Sequence, residues 1–136
     1  MLFRSAAVVA PCALRAAELT AAEKANLDLV TQFCQSFASR DMTKIAAFLA
    51  PDIVYRITDT SPSVKGPEAI SRIKAYVERS TAIDFKILDS WARGSVVVNE
   101  RIDAFTRPEG NVAYHLTGVF VVKNGKIVEW SDYSIR

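Results

Sequence analysis

Arg101 and Asp103 stand two residues apart in Asn99-Glu100-Arg101-Ile102-Asp103-Ala104-Phe105, and Asp132 stands two beyond Trp130 in Ile127-Val128-Glu129-Trp130-Ser131-Asp132-Tyr133. Both segments have the composition of strands. Side chains alternate along a strand, so Arg101, Asp103 and Phe105 share one side, and Trp130 and Asp132 share one side of the other segment. If those sides meet, an arginine lies between two carboxylates in apolar surroundings, an arrangement costly to bury and more often a tool than a prop. The more buried acid tends to keep its proton while the other stays ionised as a base. The rigid fork of Arg101 can hydrogen-bond to both and set their separation. Such a group can take a proton from water on one side of a substrate and deliver one on the other. Tyr55, on an earlier strand, could supply a hydroxyl that orients the water. The same residues could instead form a plain structural ion pair, with Asp132 facing solvent or capping a turn.

The elements that must position these residues follow from periodicity. Thr20-Ala21-Ala22-Glu23 has the form of a capping box, and Leu27, Val30, Phe33 and Phe37 recur beyond it at helical spacing, which predicts an amphipathic helix over about 21 to 39. Asp41 caps a second, short helix showing Ile45, Phe48 and Leu49, which Pro51 is expected to end. Asp52 to Ile57 reads as a strand and Thr58 to Gly66 as a polar loop. Pro67 opens a third helix with Ile70, Ile73 and Tyr76 on its apolar side. After Ser80 the period shortens. Ile83, Phe85 and Ile87 alternate, and Val96 and Val98 continue the alternation towards Arg101. Gly110 marks a hairpin, Tyr114 to Val122 forms a strand, and Asn124-Gly125 is a strong two-residue turn into the last strand, Lys126 to Tyr133. The plan is α+β: three helices with a strand and a loop among them, then a meander of about four long antiparallel strands. Wrapped around the helices, such a sheet would enclose a cavity. Val119 and Val121 on one face and Phe120 and Val122 on the other leave both faces of the last strands partly apolar, so a homodimer that covers the outer face is expected.

The remaining polar candidates are weaker. His115 reads as a satisfied strand histidine, with no carboxylate partner evident in sequence. Glu100 and Glu129 lie in the opposite phase to the cluster and should point away from it. Trp91 and Trp130 read as large core or cavity-wall residues. Asp59 could line an entrance, although loop surface is its simpler reading. Gly94, Gly110 and Gly125 are turn glycines with no phosphate-binding pattern.

The chain has 136 residues, half of them hydrophobic, enough for one domain over about 20–136. Its 17 basic and 15 acidic residues are scattered, which argues against nucleic acid as a partner. One histidine and two cysteines without ligand spacing, Cys12 and Cys34, argue against a metal site or a disulfide framework. Cys34 falls in a helical pattern as a small buried residue. No stretch approaches the roughly 18 apolar residues that span a bilayer. Residues 1–19, with Arg4 and Arg15 among alanines and valines, read either as a short leader or as an arm packed on the domain. A cytoplasmic location is the default expectation.

At these residues the chain resembles the limonene-1,2-epoxide hydrolase family, within the cone-shaped α+β folds similar to nuclear transport factor 2 (NTF2-like, SnoaL-like). The matching pieces are Glu100-Arg101-Ile102-Asp103, Gly118-Val119-Phe120, Gly125-Lys126-Ile127 and Trp130-Ser131-Asp132-Tyr133, with the Ala21 helix and the Tyr55 strand in the expected order. The resemblance covers about residues 21 to 134. It implies a curved mixed or antiparallel sheet around three helices, enclosing a pocket, and a dimer formed through the sheet. It also implies one-step opening of an epoxide by an Asp-Arg-Asp group, with no metal or organic cofactor. By position, Asp132 resembles the base that activates water, Asp103 the acid that protonates the epoxide oxygen, and Arg101 the bridge between them. Tyr55 resembles the tyrosine that helps hold the water. The family places an asparagine two residues beyond that tyrosine, and here the position is Ile57, which cannot hydrogen-bond. Thr58 or Asp59 would have to replace it, or the chain is a related cyclase or isomerase acting on a polyketide or terpenoid, or a small-molecule binder. Relatives continue beyond the position of Arg136 with a segment that closes the pocket, so a more open pocket is expected. Trp130, Phe105, Leu116 and Ile57 would line it, which favours a hydrophobic small molecule over a sugar or nucleotide.

Overall fold

The computed structural model describes residues 18–136, and the reading of residues 1–19 as an arm or leader falls almost wholly outside them. The elements run α1 (Ala21–Ser36), a 3₁₀ turn (Phe37–Ser39), α2 (Met42–Ala46), β1 (Leu49–Arg56), β2 (Val64–Lys65), α3 (Pro67–Arg79), β3 (Ala82–Arg93), β4 (Val96–Thr106), β5 (Val112–Lys123) and β6 (Lys126–Ser134). The capping box is formed in full. The Glu23 amide donates to Thr20 Oγ1 at 3.1 Å and the Thr20 amide to Glu23 Oε1 at 2.9 Å. The second oxygen of Glu23 accepts the Gly94 amide at 2.7 Å, so the start of α1 is tied to the β3–β4 turn. Pro67 occupies the first turn of α3, where its missing N–H costs nothing.

The strands form one mixed sheet in the order β2-β1-β6-β5-β4-β3. Strands β3 to β6 pair antiparallel in sequence, and β1 joins the edge of β6 in parallel. Asn124 and Gly125 both have positive φ, 51° and 70°, as the expected two-residue hairpin demands. The helices cover one face of the sheet. Phe33 is at the centre of that layer, its ring 5.1 to 6.2 Å from those of Phe37, Phe48, Phe120 and Trp130. Edge-to-face pairs of this kind add about 0.5–1.5 kcal/mol each beyond their buried area. Among the described residues, no helix is long and apolar enough to cross a membrane.

Several details depart from the sequence reading. Helix α2 ends at Ala46, before Pro51, and Leu49 and Ala50 open β1 as consecutive buried residues. The polar loop contains β2, whose two residues pair with Val54 and Tyr55. On β4 the inward residues are Val97, Asn99, Arg101, Asp103 and Phe105, while Val96 and Val98 occupy the outer face. Trp91 is also on that outer face, opposite Val98, and is 52% exposed rather than core.

Candidate active site

Strand register brings the cluster together. Asn99 is opposite Gly118, and Gly118 is opposite Asp132, so β4, β5 and β6 present Asn99, a residue without a side chain, and Asp132 in one row. Arg101, one inward position along β4, extends its guanidinium across that gap. A Cβ at Gly118 would overlap Arg101 Nη1 and come within 2.9 Å of Asn99 Oδ1. Glycine is what lets the side chain pass.

The guanidinium is fully buried, and four of its five N–H groups find acceptors. Its Nε and Nη2 donate to the two oxygens of Asp103 at 2.7 and 3.0 Å. Nη2 also donates to Asp132 Oδ2 at 2.7 Å, and Nη1 donates to Asn99 Oδ1 at 3.0 Å. The Trp130 indole donates to Asp132 Oδ1 at 2.8 Å. The rings of Phe85, Phe120 and Trp130 lie 5.4 to 5.8 Å from the guanidinium carbon. Nothing here admits water to Arg101, so its charge is balanced by the two carboxylates alone.

Two carboxylates and one guanidinium in an apolar pocket leave a net negative charge unless one proton is retained. Burial pushes the Asp103 carboxyl up to about 6, against the opposing pull of Arg101. It raises Asp132 as well, opposed by Arg101 and the Trp130 indole. Burial lowers and the two carboxylates raise the Arg101 guanidinium; the carboxylates win, so it stays charged. The pair therefore titrates as one unit holding one proton over part of the near-neutral range. The indole can only donate, which keeps Asp132 Oδ1 an acceptor.

Asp103 and Asp132 form the floor of a cavity of about 350 Å³. Tyr55, Ile57, Phe105, Leu116 and Trp130 line it, while Arg101 sits behind the two acids. Tyr55 is adjacent to Trp130 across the parallel β1–β6 pair, with ring centres 4.5 Å apart. Its hydroxyl is 3.5 Å from that of Tyr76 on α3, too long for a strong direct bond. Burial raises both phenols, so neither serves as an anion near neutral pH. Tyr76 and Thr58 also face the cavity. Asp59 does not: its carboxylate takes the Ser134 amide at 3.4 Å and Arg136 at 3.3 Å, tying the β1–β2 loop to the end of β6.

His115 has a carboxylate partner after all. Its Nε2 lies 2.7 Å from Glu100 Oε1 on the outer face, a diagonal pairing between β4 and β5 that only the strand register reveals. Asn99 and Gly118 were not singled out as chemistry. The two-residue spacing of Asn99, Arg101 and Asp103 carried the signal for the first, whereas a glycine within a strand signals a close approach for the second without saying of what. Cys34 is buried, and Asn99 Nδ2 donates to its sulfur at 3.6 Å. No three histidine, cysteine or acidic side chains among the described residues are grouped to hold a metal ion.

A curved mixed sheet wrapped around N-terminal helices with a cavity between them is the cone-shaped NTF2-like fold. The SnoaL-like domain profile matches residues 30–130, and the chain belongs to that family. It is 28% identical over 104 residues to the epoxide hydrolase EphG of Mycobacterium tuberculosis, a match spanning 76% of this chain and 69% of that protein. The solved structure of an M. tuberculosis LEH-like epoxide hydrolase superposes with a TM-score of 0.75 at 25% identity, covering 84% of this chain and 85% of the other. A putative SnoaL-like polyketide cyclase from Jannaschia sp. CCS1 gives a TM-score of 0.73 over 88% of this chain and 91% of the other; at 12% identity it shares the fold alone.

Proposed function

We propose that this protein is an epoxide hydrolase that adds water to a small hydrophobic epoxide and releases a vicinal diol. The observation that carries the reading is the single guanidinium held between Asp103 and Asp132, both of which face one apolar cavity. Likeness in sequence and in structure to epoxide hydrolase of M. tuberculosis supports it.

In this reading Asp132 is the base. It takes a proton from water as the water oxygen bonds to one epoxide carbon. The carbon–oxygen bond of the ring breaks at that carbon, and Asp103 gives its proton to the departing oxygen. The proton gained by Asp132 and lost by Asp103 leaves the total charge of the cluster unchanged, so a buried site completes the step without net charging. Arg101 fixes the two carboxyls and stabilises whichever is ionised. Tyr55 helps hold the water. No covalent intermediate forms.

The second reading is a cyclase or isomerase using the same acid pair on an internal nucleophile of a polyketide or terpenoid. Ile57 on the cavity wall favours it, because a hydrogen-bonding side chain there would help to hold external water. Residues 20–136 act as one domain in either case. The half-buried outer sheet face, with Val98, Val119 and exposed Trp91 in one cross-strand row, supports a homodimer formed through the sheet.

Diol formation from a panel of cyclic and aliphatic terpene epoxides in water enriched with heavy oxygen tests the function. A diol with a single heavy oxygen, absent with Asp103→Asn and Asp132→Asn, is the expected result. No diol from folded wild-type protein moves the assignment to the cyclase, isomerase or small-molecule-binding reading.

A further inference from the structure

The inward phase of β4 does not end with the acid. Beyond Asp103 and Phe105 the same alternation reaches Arg107, which lines the cavity near its mouth. The Arg107 guanidinium carbon lies over the Phe105 ring, 5.0 Å from its centre. Its Nε–H is shielded from solvent and has no hydrogen-bond partner among the described residues; every other such buried side-chain nitrogen or oxygen among them has one. No acidic side chain among the described residues forms an ion pair with Arg107. The neighbouring cation of the lining, Arg79, is already paired, with Glu109 at 3.5 Å.

Charge balance in the cavity then singles out Arg107. One proton on the acid pair leaves Arg101 neutralised, and Glu109 offsets Arg79. Arg107 leaves one positive charge, on a half-buried side chain against an apolar wall, with a donor that bulk water cannot reach. A charge on a half-buried side chain beside an apolar cavity is stabilised by an opposite charge brought to it. A guanidinium presents paired N–H groups in the geometry of a carboxylate, and one unbalanced charge matches a carboxylate better than a doubly charged phosphate.

We propose that Arg107 is an anion-binding residue of this site, and that the substrate is an amphiphilic epoxide bearing a carboxylate. The carboxylate meets the Nη groups of Arg107, and the carbon chain runs along Phe105, Tyr114 and Leu116 to the acids. Four residues of extended backbone separate Asp103 from Arg107, about 13 Å. An extended apolar middle therefore joins the epoxide to the anion. The position of the epoxide rests on the hydrolase reading; the anion site does not.

Calorimetric titration of the wild-type protein with decanoate and decanamide, saturated ligands of matched length, separates the two. Decanoate is expected to bind at least about tenfold more tightly, as a charge-assisted bond implies. Arg107→Gln should bring decanoate down to the affinity of decanamide, and Arg107→Lys should keep part of the preference. Equal binding of the two ligands, absence of binding by both, or equal weakening of both by Arg107→Gln would overturn the proposal. Turnover is scored apart, with an epoxy acid and its methyl ester. A carboxylate preference in binding without diol formation keeps the anion site and removes the hydrolase reading, whereas diol from terpene epoxides with no carboxylate preference does the reverse.

Discussion

The guanidinium of Arg101 passes over Gly118 on its way from β4 to Asp132 on β6. Three strands are involved, and at the crossing point the middle one contributes a residue without a side chain. Gly118 lies opposite both Asn99 and Asp132, and any Cβ there collides with Arg101 Nη1, the Phe120 ring and Asn99 Oδ1, so the whole guanidinium must shift. Gly118→Ala should therefore push Arg101 off Asp132 while leaving the sheet intact. The expected outcome is a loss of about 1–3 kcal/mol in stability from overpacking, and a fall in kcat of roughly 100-fold from the misplaced acid pair. Chemical denaturation and steady-state kinetics measure the two. Full activity in the alanine variant would show that the bridge to Asp132 is dispensable.

Trp130 serves the same carboxylate from the other side. Its indole is the donor that keeps Asp132 Oδ1 an acceptor. Trp130→Phe keeps an aromatic ring beside Phe33 and Tyr55 but removes that donor. The ionised form of Asp132 then loses support, and the acidic limb of the kcat profile should move to higher pH, with a loss of about tenfold or more at neutral pH. A pH–rate profile that shifts downward without moving along the pH axis would mean the indole acts only through packing.

The raised carboxyls carry a stability signature. Asp103 is held up to about 6 in the folded protein by burial, and Asp132 is raised as well. Between the ordinary carboxylate range and about pH 6 the folded state therefore holds protons that the unfolded chain has already released. This contribution to stability is present at low pH, is lost as pH rises through that window, and is flat above it. Asp103→Asn should flatten the slope by roughly 1–3 kcal/mol, seen by denaturation on either side of pH 6. If Asp103 is the acid, kcat should also fall as pH rises past about 6. A stability difference between the two proteins that does not vary with pH would remove Asp103 as the buried proton holder.

Much of this arrangement was legible in the sequence because a strand period of two assigns faces without reference to neighbours. That rule placed Arg101, Asp103 and Phe105 together, and Trp130 with Asp132. The Thr20 capping box and the Asn124-Gly125 hairpin were equally readable, since each is encoded within four residues. What the sequence withheld was register. Gly118 acquires its role only from standing opposite Asn99 and Asp132, and His115 acquires Glu100 only from the diagonal geometry of β4 and β5. Tyr76 reads as a core residue of α3 until the fold brings its hydroxyl to Tyr55. Trp91 was misplaced because size says nothing about which sheet face is covered. β2, two residues long, is too short to show any period. Pro51 marked a helix end by type, whereas it falls inside β1, in the register irregularity between Leu49 and Val54 where a missing N–H is tolerated.

Thr58 is the residue best placed to make up for Ile57. Both face the cavity just past the end of β1, but only the threonine can bond to water. Its hydroxyl lies 2.8 Å from Ser61 Oγ and 3.1 Å from Thr60 Oγ1, a small hydroxyl network within the loop. Asp59, the other candidate, is held away by Arg136 and the Ser134 amide. Thr58→Val keeps the shape and removes the hydroxyl, so kcat for diol formation should fall by about tenfold with little change in stability. Adding Ile57→Asn to that variant supplies a hydrogen-bonding side chain to the same cavity and should restore most of the lost rate. Rescue of this kind is not expected from a mere packing defect, because asparagine fills the isoleucine space less well and costs apolar burial. If Thr58→Val is fully active, the attacking water is held by the tyrosines and Asp132 alone. If Ile57→Asn lowers the rate further, its position belongs to the substrate rather than to the water.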